Sequence, residues 1–192
     1  MKNLKRVIYT SSYDRGLEHL LKMWPDVVKE VPDAKLHIFY GWQLFDQFHK
    51  GNPGSMSWKE NMEKMMEHKG ITHHGRVSQA DLVSEYEKSG IWAYPTHFGE
   101  INCISAIKAQ YYGCEPVVVS YAALKETVQY GRRIEGDVYD PSVQLKFKEQ
   151  LIDALTNPMS MEDRRKMRVW AGRYKWEKVA KTWDTLFKGA KI

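Results

Sequence analysis

The chain has 192 residues, of which 43% are hydrophobic and 28% are charged. This length and composition fit one globular domain with its own core, and they exclude wholesale disorder. No run of eighteen apolar residues occurs, which excludes a membrane-spanning helix, and the N-terminal MKNLKR lacks the apolar stretch of a signal peptide. We therefore expect a cytoplasmic protein, with peripheral contact at a membrane surface as an open alternative.

The chain carries a formal net charge of +5. This surplus indicates either a solvated basic surface or attraction to phosphate-bearing ligands and anionic membranes. We expect no nucleic-acid partner, because the sequence has no zinc-ligand spacing, no RNP-like aromatic motif and no arginine-rich arm. Cys103 and Cys114 flank one predicted helix, whose rise separates them by about 16 Å. That separation excludes a disulfide between them and favours a reduced protein.

A first strand is predicted at residues 6–10, followed by the polar turn Ser-Ser-Tyr-Asp-Arg-Gly at 11–16. The next segment has the period of an amphipathic helix, in which Pro25 predicts a kink or a break. The apolar face of that helix is formed by Leu17, Leu20, Leu21, Trp24 and Val28. A second strand is predicted at residues 35–40.

Residues 43–54 are predicted to be an irregular, flexible loop, because glycine and proline recur in them. Ser57 followed by Glu60 predicts the capping box of a helix that continues to residue 66. A third strand is predicted at residues 71–74.

The tight turn Gly75-Arg76-Val77 comes next, and Ser78 with Asp81 predicts the cap of a helix over residues 82–89. His73 and His74 raise the question of a metal. No third or fourth ligand has suitable spacing, so we predict no metal site.

Residues 92–116 form the central stretch of the sequence. The apolar run 90–94 predicts a buried strand, which Pro95 ends, and a loop containing Glu100 follows. A helix is predicted at residues 102–112. Its buried face is predicted from the spacing of Ile104, Ile107 and Tyr111, and its end from Gly113.

A fifth strand is predicted at residues 115–120, a short helix within 121–128 and a small last strand at 133–135. Two further helices are predicted, one over residues 145–155 and one that begins at Ser160. A terminal helix carries an apolar stripe formed by Trp176, Val179, Ala180, Trp183 and Phe187.

Strands that alternate with helices predict a Rossmann-like α/β fold, in which helices cover both faces of a parallel sheet in three layers. Right-handed crossovers bring every loop that follows a strand to one edge of the sheet, which we call the rim. The rim loops are predicted at residues 11–15, 41–42, 74–76, 96–105 and 120–122. They predict one cleft, walled by glycine turns, one carboxylate and two arginines.

Arg15 precedes a predicted helix start at Gly16, where the helix N-terminus favours an anion. The two residues form a candidate clamp for a phosphate or diphosphate, to which Ser11 and Ser12 would add hydroxyl donors. The alternative is an exposed arginine in an ordinary polar turn.

Glu100 lies between a glycine and a helix start, where its carboxylate either accepts hydrogen bonds from ligand hydroxyls or faces solvent. His97 is a candidate ligand donor or acid–base group. Lys108, eight residues after Glu100, is expected to point away from the buried face of its helix. Cys103 is interpreted as a packing residue rather than a reactive thiol.

In order and spacing, these segments resemble the C-terminal, nucleotide-sugar-binding domain of the GT-B-fold retaining glycosyltransferases of the group 1 family. The resemblance rests on SSYDRGLEHLL, VPDAKLHIFYGW, HGRVSQADL, YPTHFGEINCISAIKAQ, GCEPVVV and WEKVAKTW, which span most of the chain. It implies the C-terminal half of a GT-B fold. It also implies a nucleotide-diphosphate sugar as donor substrate, and no further cofactor.

The resemblance implies that Arg15 and Glu100 are the catalytic residues. Arg15 matches the basic residue that holds the donor diphosphate, and Glu100 matches the first glutamate of the Glu-x7-Glu motif, which contacts the transferred sugar. Lys108 stands in place of the second glutamate, which binds ribose hydroxyls in the family. Since lysine is only a donor, the identity of the nucleotide is left open.

Further residues are implied to bind the nucleotide sugar. The turn Gly75-Arg76-Val77 matches the loop that borders the base, and the backbone N–H groups of residues 102–104 match those that face sugar and phosphate. With Lys108, the complete set of binding candidates is Ser11, Ser12, Arg15, Gly16, Gly41, Trp42, Gly75, Arg76, Val77, Thr96, Glu100, Asn102, Cys103 and Ile104.

The family's N-terminal Rossmann-like domain, which carries acceptor-site residues, has no counterpart in the chain. Residues 1–192 are therefore interpreted as one donor-binding domain that works with an N-terminal domain or a partner chain. The acceptor would be a hydroxyl of a glycan, a lipid or a small molecule. The alternatives are a non-catalytic, degenerate nucleotide-sugar-binding or assembly module and a flavodoxin-like signalling domain. A flavodoxin-like domain would require an acidic cluster at the end of the first strand, where this sequence has Ser11 and Ser12.

Overall fold

The computed structural model describes residues 2–189. Within these residues, six strands form one parallel sheet: β1 (Asn3–Tyr9), β2 (Lys35–Phe39), β3 (Ile71–Gly75), β4 (Ser89–Tyr94), β5 (Glu115–Val119) and β6 (Arg132–Ile134). Their order across the sheet is β3-β2-β1-β4-β5-β6. The predicted Rossmann-like parallel sheet is confirmed, and this strand order is that of the doubly wound dinucleotide-binding fold.

The helices of the described part of the chain are α1 (Leu17–Glu30), α2 (Gln43–His49), α3 (Pro53–Met66), α4 (Gln79–Lys88), α5 (Ile104–Tyr111), α6 (Leu124–Thr127), α7 (Pro141–Thr156), α8 (Met161–Ala171) and α9 (Trp176–Gly189). Helix α1 contacts α3 and α7, and α5 contacts α8. Right-handed crossovers place α1 and α3 on one face of the sheet and α4 and α5 on the other. The two groups of helices and the sheet between them form the three predicted layers.

The order of the strands reverses at the centre of the sheet. The chain moves from β1 outward to β3 and then returns to β4, which lies on the other side of β1. In open α/β sheets, ligands bind beside the carboxyl ends of the strands at such a switch point. The loops that follow β1 and β4 therefore form the centre of the rim.

The core lies on both faces of the central strands. Every residue of β4 and β5 is buried, as expected for parallel strands that helices cover on both sides. Trp24 of α1 and Trp92 of β4 are the two largest of the fully buried side chains. Complete burial of a large apolar side chain contributes about 1.5–3 kcal/mol.

Pro25 does not break its helix, and the predicted interruption is wrong. Helix α1 continues from Leu17 to Glu30 with Pro25 inside it. The apolar face of α1 is fully buried at Leu20, Trp24 and Val27, and this packing outweighs the one backbone hydrogen bond that proline cannot donate.

The predicted loop at residues 43–54 is also wrong. Helix α2 occupies most of that segment, although none of its residues is buried. Helix α3 begins at Pro53, because the Asn52 side chain accepts a hydrogen bond from the Ser55 N–H at 3.0 Å. Ser57 consequently lies inside α3, and the capping box predicted there does not form.

Helix α5 buries a different face from the predicted one. Its buried residues are Ala106, Ala109 and Gln110, whereas Ile104 is 61% exposed. Gln110 belongs inside because its amide donates to the Thr127 carbonyl at 2.7 Å. The C-terminal cap is as predicted: Gly113 has a φ of +79°, and the next N–H donates to the Ala109 carbonyl at 2.8 Å.

Other local predictions are confirmed. Ser78 caps α4 and Ser160 caps α8, each through a side-chain oxygen that accepts a backbone N–H three residues later at 3.1 Å. Cys103 and Cys114 are both free and buried.

Among the described helices of ten or more residues, α9 alone buries none of its residues. Trp176 is 82% exposed and Phe187 is 69% exposed. The predicted apolar stripe is thus present and uncovered. None of the helices in the described residues is long and apolar enough to cross a membrane.

Candidate functional site

The rim loops contact one another in the order that the sheet imposes. The Tyr40 N–H, after β2, donates to the Gly75 carbonyl of β3 at 3.0 Å. The Gly41 N–H donates to the Tyr13 hydroxyl of the loop after β1 at 2.8 Å. The Tyr40 backbone has a φ of +143°, a strained value for a residue with a side chain.

The loops after β1, β4 and β5 are joined in the same way. Gly16 has a φ of +107°, and a Cβ placed there would lie 2.1 Å from the Pro95 carbonyl oxygen. Only glycine allows this approach of α1 to the end of β4. Farther along the rim, the Ala123 N–H donates to the Glu100 carbonyl at 3.1 Å. The predicted convergence of the five loops on one edge is therefore present.

Arg15 and Glu100 meet where the loops after β1 and β4 face each other. Arg15 Nη1 lies 3.4 Å from Glu100 Oε1. The Arg15 guanidinium also stacks over the Phe98 ring, with its carbon 3.8 Å from the ring centre. The Glu100 side chain is 12% exposed and that of Arg15 is 34% exposed, so the pair is held in place yet reachable.

Glu100 has a second partner that the sequence did not indicate. The Tyr94 hydroxyl donates to Glu100 Oε1 at 2.8 Å and lies 3.2 Å from Ser11 Oγ. Burial raises the pKa of Tyr94, and its bond to Glu100 raises it further, so the phenol stays protonated and donates. Both contacts fall on Oε1, and within residues 2–189 the other carboxylate oxygen of Glu100 has no side-chain or backbone donor.

A cavity of about 310 Å³ lies on the α4 and α5 side of this pair. Its walls include apolar side chains of Phe39, Leu44 and Val77. Two cations, Arg76 and Lys108, also line it, and no carboxylate does. Apolar walls with a few cationic groups suit a flat ring that carries an anionic substituent.

Lys108 faces this cavity, on the side of α5 away from its buried residues. Its ammonium donates to the Gln79 side-chain oxygen at 2.7 Å. Ile104 and Ser105 line the cavity beside it. Lys108 is thus placed where a ligand would meet it.

Several predicted site residues have mainly structural contacts. Trp42 is buried and packs edge-on against Tyr13, with ring centres 4.6 Å apart. Thr96 is fully buried, and its hydroxyl accepts the Phe98 N–H at 2.9 Å. Burial raises the pKa of Cys103 to about 12, which supports its interpretation as a packing residue.

Three more candidates have no side-chain contact that marks them as ligand-binding. Ser12 contributes its carbonyl oxygen, which accepts the Tyr9 hydroxyl at 2.8 Å and the Arg15 N–H at 3.1 Å. Asn102 is exposed beside the α5 N-terminus. Gly75, which has a φ of +66°, has an open space where its side chain would be.

The residues that sequence reasoning missed are Tyr94, Phe98 and Gln79. Tyr94 was counted as part of a buried strand, and Phe98 as a loop residue. The available signal was a tyrosine at the last position of a central strand, since that position ends at the rim. Gln79 lies in the first turn of α4 and gave no signal of its own.

No group of three or more His, Cys, Asp or Glu side chains suited to a metal occurs in residues 2–189. The prediction that the site requires no metal remains a prediction.

The strand order and the Arg15–Glu100 pair define an α/β domain with a candidate ligand site at its topological switch point. The family model described as "Glycosyl transferases group 1" matches residues 2–171. The chain belongs to this family of glycosyltransferases. No curated protein sequence matches it significantly.

Two solved structures show the same fold. One is the GtfA/B complex, with a TM-score of 0.74 and 14% identity. The other is the pneumococcal O-GlcNAc transferase GtfA in complex with UDP and GlcNAc, with a TM-score of 0.74 and 13% identity. The matches cover 97% of this chain and 36% of each of those chains. The domain therefore has the architecture of the C-terminal half of a GT-B fold, and it spans about a third of the length of these neighbours.

Proposed function

We propose that the chain is the donor-binding domain of a retaining glycosyltransferase, which moves a sugar from a nucleotide diphosphate to a hydroxyl acceptor. The observation that carries this proposal is the meeting of Arg15 and Glu100 at the switch point, 3.4 Å apart, beside a cavity lined by Arg76 and Lys108. One carboxylate and three cations at one rim suit a ligand that has both hydroxyls and phosphates.

In this proposal Arg15 binds the diphosphate. Its guanidinium is oriented by the Phe98 ring, and the start of α1 lies next to it. Negative charge grows on the departing diphosphate as the glycosidic bond breaks. A fixed guanidinium and backbone N–H groups stabilise that charge without reorganisation of solvent.

Glu100 orients the sugar. Tyr94 holds one carboxylate oxygen, and the other is available to accept a sugar hydroxyl. An oriented, partly buried acceptor of this kind fixes the ring relative to the diphosphate, which lowers the entropic part of the barrier.

Lys108 makes the nucleotide side of the site unusual for this family. Its ammonium cannot accept from ribose hydroxyls, but with Arg76 it can bind an anionic oxygen of the donor. We expect a nucleotide diphosphate to be preferred over the nucleoside, because phosphate charge is what these two cations recognise.

The proposal includes a second half of the enzyme, either an N-terminal domain or a partner chain. The support for it is the uncovered apolar stripe of α9, together with the fact that the structural neighbours are about three times longer. The hydroxyl acceptor would be bound largely by that half. Peripheral membrane contact and a cytoplasmic location also remain proposals.

Isothermal titration calorimetry with UDP, UDP-GlcNAc and a panel of other nucleotides and nucleotide sugars tests the proposal. UDP and UDP-GlcNAc are suitable first probes, because GtfA was solved with UDP and GlcNAc. We expect Arg15→Ala to weaken nucleotide-diphosphate binding by about tenfold or more, as for a lost charged hydrogen bond. Glu100→Gln should weaken the nucleotide sugar more than the free nucleotide.

Arg165→Ala, which removes an exposed arginine of α8, is the matched control and should bind like the wild type. Absence of binding to every nucleotide at about 1 mM would overturn the proposal. That result would favour the second candidate, a degenerate module kept for assembly. The observation in favour of this candidate is that a lysine, Lys108, stands eight residues after Glu100, where the family motif has its second glutamate.

A further inference from the structure

A second cavity, of about 400 Å³, opens on the other face of the sheet. Its walls come from α1, α3, the start of α7 and the loops after β1 and β4. They include Asp14, His19, Trp58, His97, Tyr139 and Gln144. None of these residues lines the cavity beside Arg76 and Lys108.

Three rings surround one part of this second cavity. The ring centres of His19 and Tyr139 are 5.1 Å apart, those of His97 and Tyr139 are 5.2 Å apart, and those of His19 and His97 are 6.2 Å apart. His19 is buried, whereas Tyr139 is 60% exposed and presents much of its side chain to solvent. The three rings therefore pack against one another, and the Tyr139 ring presents aromatic surface to the cavity and to solvent.

The hydrogen-bonding groups of the cavity are largely neutral. Lys22 is paired with Glu18, whose other oxygen accepts the Trp58 indole N–H at 2.8 Å. Burial lowers the pKa of His19, with a further contribution from His97, so the His19 ring is neutral at pH 7. A neutral imidazole has one donor and one acceptor. The exposed Asp14 adds a carboxylate.

This chemistry suits a saccharide better than an anion. Sugar rings have apolar C–H faces that pack on aromatic rings, and hydroxyls that both donate and accept. An anionic ligand would meet Asp14 and Glu18, and the only lysine in the wall is already neutralised. The cavity volume also falls within the range of small-molecule sites.

The second cavity adjoins the Arg15–Glu100 pair. Asp14 and Gly16, which both line it, are the two neighbours of Arg15 in the chain, and His97 belongs to the same loop as Glu100. Thr10, at the start of the loop after β1, and Ser105, in the first turn of α5, line the first cavity instead. The pair thus lies in the loops that separate the two cavities.

We propose that the second cavity binds a saccharide and contributes a subsite for the acceptor, on the opposite side of Arg15 and Glu100 from the nucleotide. This inference deepens the proposed function, on which it rests, by naming the acceptor class as a carbohydrate. Tyr139 supplies the stacking surface, and His19, His97 and Asp14 bind the hydroxyls.

Saturation-transfer NMR with the whole chain tests this inference. The probes are glucose, galactose, N-acetylglucosamine and their methyl glycosides, each with and without saturating UDP. We expect at least one saccharide to give a signal that UDP leaves intact. Tyr139→Ala should weaken this signal by about fivefold or more, and His97→Ala should reduce it as well.

Tyr174→Ala is the matched control, because it removes a tyrosine that is 40% exposed and lies outside the cavity. Three results would overturn the proposal: no signal from any saccharide, a signal that UDP abolishes, or equal signals from the wild type and Tyr139→Ala. UDP binding is recorded in the same samples. Its absence, with saccharide binding intact, would count against the proposed function and not against the saccharide site.

Discussion

Tryptophans at the centre of the sheet domain (residues 2–175) are buried, whereas those of helix α9 are exposed. Trp24 and Trp92 of the sheet domain are fully buried, whereas Trp176 and Trp183 of α9 are 82% and 55% exposed. The centre of the sheet is covered by the helices of the sheet domain, so every residue of β4 and β5 is buried. Helix α9 has an equally apolar stripe that residues 2–175 leave uncovered. The difference shows that the sheet domain builds its core from its own aromatic side chains, while those of α9 lie on a surface that residues 2–175 do not cover.

Charge is also unevenly distributed along the chain. Residues 1–160 contain 19 lysines and arginines against 20 acidic residues, whereas residues 161–192 contain ten against four. The surplus of +5 therefore belongs to the C-terminal segment and not to the rim. Residues 161–175 account for most of this surplus, with six lysines and arginines against two acidic residues, so it lies mainly outside α9.

The largest expected contrast concerns one tryptophan in each region. Trp92→Ala should lower the free energy of unfolding by about 3–5 kcal/mol, because it leaves a cavity in the centre of the core. Trp183→Ala should change it by less than about 0.5 kcal/mol. Urea unfolding followed by circular dichroism measures both. If Trp92→Ala does not fold, Ile91→Val, with an expected loss of about 1 kcal/mol, replaces it. Equal losses at positions 92 and 183 would contradict the comparison.

A buried arginine marks the boundary between the two regions. Arg164 of α8 donates to the carbonyls of Gly90 and Gly113 at 2.9 and 2.8 Å and pairs with the buried Glu115 at 3.3 Å. Arg164→Ala should cost about 3 kcal/mol, since it leaves Glu115 and two carbonyls without this partner. Its neighbour Arg165 is exposed, and Arg165→Ala should leave the urea midpoint nearly unchanged. Similar midpoints for the two variants would show that α8 is not held by this contact.

Acid should destabilise the sheet domain through His37 of β2. Burial, with the charges of Arg6 and His74, lowers the pKa of His37 to about 4. The unfolded chain binds this proton near pH 6.5, so the stabilisation is complete above that pH and is lost as the pH falls through about 4. We expect a loss of about 1 kcal/mol after allowance for solvent screening.

The measurement is the free energy of unfolding between pH 7 and pH 4 in His37→Gln and in His49→Gln, which removes an exposed histidine. If the pH dependence of the free energy of unfolding is the same in His37→Gln as in the wild type, His37 is not the group that destabilises the domain in acid.

The smallest expected effect on stability comes from the apolar stripe of α9. Replacement of Trp176, Trp183 and Phe187 by serine should change the free energy of unfolding by less than about 1 kcal/mol in total, because these side chains are exposed. The same variant should bind less of the dye ANS, since an exposed apolar patch is removed. A large loss of stability would mean that α9 is covered after all.

Much of the fold followed from simple patterns. Strands β1 to β5 were predicted to within a few residues. Strands β4 and β5 are buried, largely apolar runs, β2 alternates between apolar and polar residues, and glycine or proline lies beside the strand ends. Helix α2 was missed because its seven residues are too few for Leu44, Phe45 and Phe48 to stand out as a repeating pattern, and the nearby glycines and proline favoured a loop. The face of α5 was mispredicted because that helix packs through alanines, whose small side chains do not stand out as a core pattern.

The candidate site was predictable where chain topology decides it. The order of β and α segments placed the loops of Arg15 and Glu100 next to each other, and the two side chains do meet. The support from Tyr94 was not predictable, because it depends on the direction of one side chain at a strand end. The grouping of His19, His97 and Tyr139 depends on packing between segments more than 40 residues apart.

The most direct test of the proposed nucleotide site is a map of backbone amide chemical shifts by ¹H–¹⁵N NMR during titration with UDP. We expect the largest shifts in the loop after β1, around Arg15, in the turn at Arg76 and at the start of α5. Residues of α9 should not shift. Large shifts confined to α8 and α9, or no shifts at about 1 mM UDP, would contradict a phosphate-binding site at the switch point of the sheet.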